Sequence, residues 1–208
     1  MIVVAGCAQT NHHLIHPRKA APAVIVWSAD FARDELAVHI EGARPPGAGP
    51  FPTVLVHPEE EAMASDMHGV IWDLAAHGYV AIAADYQRRI EGRWRPNMFA
   101  WRSTGDITLI IDATRAYPEV DQSRIGALGF SEGAVVSLLM AAHDPDRIKA
   151  VVAYYPMLKA SGDTTELLVV PDEGRLFNFR QSQQATQAWQ AALAWLDRYL
   201  HPTPRAGG

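Results

Sequence analysis

Gly129-Phe130-Ser131-Glu132-Gly133 joins two apolar runs of different period, and that junction restricts what the chain can fold into. Before it, Arg124-Ile125-Gly126-Ala127-Leu128 reads as a buried strand. After it, Ala134 to Ala142 reads as an apolar helix. Passing from strand to helix within five residues takes a sharp turn. The glycines on either side of Ser131 permit that turn and let the backbones pack closely. Strand, Gly-x-Ser-x-Gly turn and helix are the context of a nucleophile elbow, which lifts a serine hydroxyl clear of a sheet at a helix N-terminus.

The rest of the chain alternates in the same way. Ala23 to Trp27 and Leu36 to Ile40 read as opening strands, followed by a compact strand over Thr53 to Val56. Met67, Val70, Ile71 and Leu74 form a helical stripe with Ser65 as its expected cap and Gly78 as its expected C′ residue. Tyr79 to Ala83 is the next strand, and a loop rich in arginine and tryptophan is expected from Gln87 to Arg102. Ile107, Ile110 and Ile111 mark a second helix closed by Pro118. Ala150 to Tyr154 and Glu166 to Val170 read as the last strands. A final helix from Gln183 to Leu200 puts Ala185, Trp189, Ala192, Leu196 and Leu200 on one face. Strands alternating with helices imply an α/β fold, a mostly parallel sheet with helices on both faces. Ligands in such sheets sit at the carboxyl ends of the strands, where Ser131 lies.

The totals exclude several classes of partner. Net charge is −5, from 18 basic and 23 acidic residues, with no basic run of the kind that tracks nucleic acid. No segment approaches the ~20 apolar residues of a membrane span. No cofactor or metal site is expected. Asn11-His12-His13-Leu14-Ile15-His16 reads as a solvated tether rather than a metal site, with no carboxylate or thiolate close by in sequence.

Val4-Ala5-Gly6-Cys7 has the aliphatic-small-small-cysteine form of a lipobox, which makes Cys7 a candidate lipidation site. Six residues precede Cys7, whereas a signal needs a basic region and an apolar stretch of about 7–15 residues. Two readings follow. One is a bacterial cell-envelope lipoprotein whose true start lies upstream; the other is a cytoplasmic protein with a chance match. Either way residues 1–22 are expected to be a tether or signal remnant, and residues 23–202 a single domain.

The order of these pieces resembles the α/β-hydrolase superfamily, and within it the dienelactone-hydrolase-like family. The resemblance is carried by Gly49 to His57, by Leu74 to Asp85, by Val120 to Gly126 leading into the elbow, and by Phe177-Asn178-Phe179-Arg180 before the terminal helix. It implies a serine hydrolase acting on a small ester or lactone, with Ser131 as nucleophile. An acid and then a histidine are implied later in the chain. It also implies an oxyanion hole made by the backbone N–H of Glu132 and one from the loop after the third strand, here Glu59.

Three departures qualify that expectation. The family's histidine falls on Arg175, whose guanidinium cannot act as a base near neutral pH. The histidines after Ser131 are His143, at the far end of the elbow helix, and His201, after the terminal helix. Ten residues, Pro156 to Thr165, stand where the family inserts a strand, an acid-bearing loop and a helix. A strand and helix take roughly 17 residues, so the fold is shortened by about one strand-helix unit near the C-terminus. Glu166 to Val170 is then either the last strand, returning beside Tyr154, or the acid-bearing strand, with Asp172 or Glu173 as the acid. The oxyanion loop reads His57-Pro58-Glu59-Glu60-Glu61, in which Pro58 has no N–H and three carboxylates would favour a cationic ligand. His57 is the candidate base from the other side of the crevice, or else a histidine that shapes the loop. Arg88, Arg89, Arg93, Arg95 and Arg102 around Trp94 and Trp101 form either an anion-binding lid or a solvated loop, and Asp85 reads as structural. The alternative function is a catalytically inactive homologue that binds a ligand or partner at the crevice.

Overall fold

The computed structural model describes residues 2–5, 23–59, 63–90, 93–96, 104–155, 166–169 and 182–201. Their strands are β1 (Ile2–Ala5), β2 (Ile25–Arg33), β3 (Leu36–Arg44), β4 (Phe51–His57), β5 (Val80–Ile90), β6 (Arg93–Pro96), β7 (Val120–Phe130), β8 (Ile148–Tyr154) and β9 (Glu166–Val169). The helices are α1 (His68–Ala76), α2 (Thr104–Ala113), α3 (Glu132–His143) and α4 (Gln183–Leu200). One sheet runs β2-β3-β5-β4-β7-β8-β1-β9, with β6 paired to β5. β3 is antiparallel to β2 and β5, and β6 to β5; β5, β4, β7, β8, β1 and β9 run parallel.

Period-two alternation sorts the sheet into two cores. Val54, Val56, Leu128, Phe130, Val152 and Tyr154 face α1 and α4. Leu55, Ile82, Ala127 and Val151 face Ile107, Ile110 and Ile111 of α2 and Val136 and Met140 of α3. With both faces covered, the central strands are apolar almost without interruption.

The helices end for identifiable reasons. After α1, Gly78 takes φ +94°, and its N–H donates to Ala75 O at 3.1 Å while Tyr79 N–H donates to Leu74 O at 3.2 Å. These are the two bonds of a Schellman cap, on the glycine the sequence marks. The start differs from expectation. Residues Ala64–Met67 form a short 3-10 turn, and Asp66, not Ser65, accepts the Met63 N–H at 2.8 Å. α4 has the expected bounds; Ser182 caps it by accepting the Ala185 N–H at 3.0 Å. Trp189 of α4 donates to Asp73 of α1, which ties the two helices together, and Tyr79, just ahead of β5, donates to Asp197 of α4. His68 stacks on Trp72 and His77 bonds the Asp73 carbonyl, so both are packing residues at the surface.

Three segments depart from the sequence reading. The expected loop after Tyr86 begins as a hairpin, because β5 runs on to Ile90 and pairs antiparallel with β6. The first strand extends to Arg33 and turns through Asp34, at φ 56°. Ile2–Ala5, assigned to the tether, form β1 between β8 and β9: Val3 lies opposite Ala153 on one side and Leu167 on the other. β9 therefore does not return beside β8; the N-terminal strand stands between them. The shortening after β8 leaves a strand place that Ile-Val-Val-Ala fills. Among the described residues, no helix is long and apolar enough to cross a membrane.

Candidate active site

Six parallel strands share a carboxyl edge, and β7 delivers Ser131 to it. Ser131 adopts φ 52°, ψ −112°, a conformation that L-residues rarely take and that concentrates at functional sites. Its N–H donates to Tyr154 O at the end of β8 at 3.0 Å, and its carbonyl accepts from Ala134 N at 3.2 Å. Tyr155, just past β8, is also at positive φ, 39°. Besides Asp34 in the β2–β3 turn, the positive-φ residues other than glycine among the described residues thus fall at two adjacent strand ends, where Phe130 stacks on Tyr154 at 5.1 Å.

The two glycines of the motif are close-approach positions. A Cβ on Gly129 would lie 2.1 Å from Gly133 O. A Cβ on Gly133 would lie 2.2 Å from Pro58 O and 2.3 Å from His57 O. The first turn of α3 therefore rests directly on the backbone that leaves β4. Glu132 is the first residue of α3, where N–H groups have no intrahelical partner, and Glu59 lies two residues past β4. Both candidate oxyanion donors thus belong to segments in contact at the elbow. Ser131 itself is 6% exposed.

His57 ends β4 and is 1% exposed. Its Nδ1 lies 2.9 Å from Ser137 Oγ on α3, and its Nε2 lies 3.2 Å from Tyr86 OH on β5. The rings of His57 and Tyr86 stack at 6.0 Å. The structure brings His57 to the elbow, yet commits its ring nitrogens to these two neighbours. Ser137 and Tyr86 went unnoticed in the sequence, since nothing local ties them to residue 57. His143 closes α3, about 18 Å along the helix from Ser131 by its rise. His201 packs edge-on against Tyr79 at 4.7 Å, beside the Tyr79–Asp197 bond. Asp85 accepts the Ala64 N–H at 2.6 Å, which ties the turn after the β4 loop to β5. Cys7, Asp172, Glu173 and Arg175 lie outside the described residues, as do Trp101, Arg102, Glu60 and Glu61.

Burial pushes the His57 imidazolium down to about 3 from its ordinary 6.5. The unfolded chain therefore binds more protons below pH 6.5, and stability falls as pH drops from there towards 3. Asp85 runs the other way: burial raises it to about 6, so its ionisation opposes folding as pH rises through that value. A pairwise comparison cancels Asp85. The stability gap between wild type and His57→Asn, from urea unfolding, is expected to shrink by about 2 kcal/mol between pH 7 and pH 5. An equal gap at the two pH values would contradict a buried neutral imidazole.

A strained serine between close-packed glycines, at the carboxyl edge of a parallel sheet covered on both faces, defines an α/β-hydrolase fold. The chain belongs to the dienelactone hydrolase family, whose sequence profile matches residues 40–172, more than half its length. It is similar to esterase FrsA of Serratia proteamaculans, at 27% identity over 132 residues, covering 61% of this chain and 30% of the esterase. The chain thus matches less than a third of that relative's length. Among solved structures it resembles a dienelactone hydrolase-like promiscuous phosphotriesterase from metagenomic libraries, with TM-score 0.65 and 18% identity. That match covers 86% of this chain and 99% of the other. It also resembles the acylaminoacyl peptidase of Pyrococcus horikoshii, with TM-score 0.69 and 14% identity over 90% of this chain and 43% of the peptidase. At these identities the structural likenesses speak for the fold alone.

Proposed function

We propose that this chain is a carboxylic-ester hydrolase for a small ester or lactone, with Ser131 as nucleophile. The observation that carries the reading is the backbone of Ser131, held at φ 52° between Gly129 and Gly133 at the sheet's carboxyl edge. A fold tolerates such strain where the surroundings over-determine it, and here they do so at the one serine the family uses for attack. The Oγ–carbonyl bond forms as the hydroxyl proton passes to a water molecule, and the Glu132 and Glu59 N–H groups bind the oxyanion. The alcohol or ring oxygen departs with that proton, and a second water then cleaves the acyl-serine, returning a proton to Oγ.

Arg175 stands at the family's histidine position, so proton transfer there is missing and turnover is slow. Asp172 or Glu173 is the candidate acid, with no imidazole assigned for it to orient in this scheme. A general base contributes about 10²–10⁴ to such reactions, which sets the scale of the impairment. A fluorophosphonate probe is expected to label the wild-type chain and not Ser131→Ala, with only slow release of p-nitrophenol from p-nitrophenyl acetate. Absence of labelling, under conditions that label an active serine hydrolase, would leave a noncatalytic homologue that binds its ligand at the crevice. The lipid anchor at Cys7 is a competing proposal, since lipobox processing before Cys7 would remove Ile2–Ala5 and with it β1; mass spectrometry of the mature chain that finds Ile2–Ala5 retained rules the anchor out.

A further inference from the structure

We propose that His57 is a neutral positioning residue, held as its Nδ1–H tautomer by Ser137 and Tyr86, that fixes the elbow helix against the oxyanion loop. The inference rests on Ser131 being the nucleophile. It assigns to His57 a role other than that of proton acceptor.

The argument is a proton count along one buried chain. Ser137 Oγ carries a single proton and lies 3.0 Å from Gly133 O, one helical turn back. A carbonyl only accepts, so in that bond the hydroxyl donates. The lone pairs of Ser137 Oγ then face His57, and Nδ1, 2.9 Å away, must be the donor. An imidazole protonated at Nδ1 has a lone pair at Nε2, which accepts the Tyr86 hydroxyl at 3.2 Å. Read in this direction, every donor has an acceptor: Tyr86 to His57, His57 to Ser137, Ser137 to Gly133. The opposite tautomer turns the Ser137 proton towards His57 and forfeits the bond to Gly133.

The chain crosses three elements: the middle of β5, the last residue of β4 and the first two turns of α3. It ends on Gly133, the residue that packs against the His57 and Pro58 carbonyls. One imidazole therefore sets the spacing between the two segments that carry the candidate oxyanion donors. It cannot take the Ser131 proton without giving up one of its bonds.

The tautomer is read directly by ¹⁵N NMR of histidine-labelled protein, with the His57 signals assigned by their loss in His57→Asn. Protonated Nδ1 and bare Nε2 are expected at pH 7 and still at pH 5; a bare Nδ1, or an imidazolium at pH 5, overturns the proposal. This arm needs no catalysis, so it stands even where Ser131 is not labelled and the hydrolase reading fails. The second arm is kinetic, on p-nitrophenyl acetate. His57→Asn keeps a donor at the δ position, and Tyr86→Phe removes the donor to Nε2. Each is expected to lower kcat roughly 10-fold with KM held within about twofold and the pH–rate profile unmoved, the scale of one misplaced hydrogen bond. His57→Leu, with no donor, is expected to lose about 100-fold or more, so that asparagine is the rescuing variant. A folded His57→Asn that loses more than about 10³-fold together with a limb of the pH profile marks the imidazole as the base and refutes the proposal.

Discussion

Gly133→Ala is expected to destabilise the protein by about 3 kcal/mol or more, the upper end of the overpacking range, and to abolish probe labelling of Ser131. The new methyl would lie 2.2 Å from Pro58 O and 2.3 Å from His57 O. Both are backbone atoms, so no side-chain rotation relieves the overlap. Either α3 lifts off the end of β4 or the loop after β4 moves outward. Each response separates the two candidate oxyanion donors and breaks the Ser137–His57 bond. For a chain of this length the loss corresponds to a melting temperature lower by roughly 6–12 °C. Gly129→Ala tests the other half of the turn. Its methyl would meet Gly133 O at 2.1 Å, so it distorts the elbow itself rather than the seam with β4. Wild-type melting and labelling in Gly133→Ala would show that the elbow and loop are not held in contact.

Where local chemistry decides, the sequence was sufficient. The elbow, the Schellman glycine at 78 and the amphipathic α4 each depend on residues within a few positions of one another. Their patterns survive intact in the fold. Where partners are distant, the sequence was silent. The turn before α1 starts at Met63, two residues ahead of Ser65, so Asp66, three residues into it, is placed to accept the Met63 N–H. Ile2–Ala5 fell within the expected tether because a four-residue apolar run has no period of its own; only β8 and β9, about 150 residues on, make it a strand. The site divides along the same line. Ser131 is legible from its motif, whereas the engagement of His57 depends on Ser137, 80 residues away, and Tyr86, 29 away. A histidine at a strand's carboxyl end invites the role of base until its neighbours are placed.

The last strands of the sheet carry the other large expected effect: Val3→Pro should cost about 3 kcal/mol or more. β1 is central, with β8 on one side and β9 on the other, and Val3 lies opposite Ala153 and Leu167. Proline lacks the N–H that a central strand must donate, and its ring is tolerated only at edges, strand starts and bulges. The damage does not stop at one bond. β9 is the end of the sheet order and pairs with β1 alone among the described strands, so releasing β1 leaves Glu166–Val169 without a ladder. Strands sit about 4.8 Å apart, so β9 would have to move one full place inward to find β8. Hydrogen exchange should therefore rise at residues 166–169 as well as 2–5, and limited proteolysis should open new cleavage near them. Val3→Ile, apolar, β-branched and with its N–H intact, is the matched control and should keep the protection of residues 166–169. Protection of 166–169 in Val3→Pro equal to that of wild type would mean that β9 draws its order from elsewhere. The N-terminal strand would then not be what replaces the strand place lost after β8.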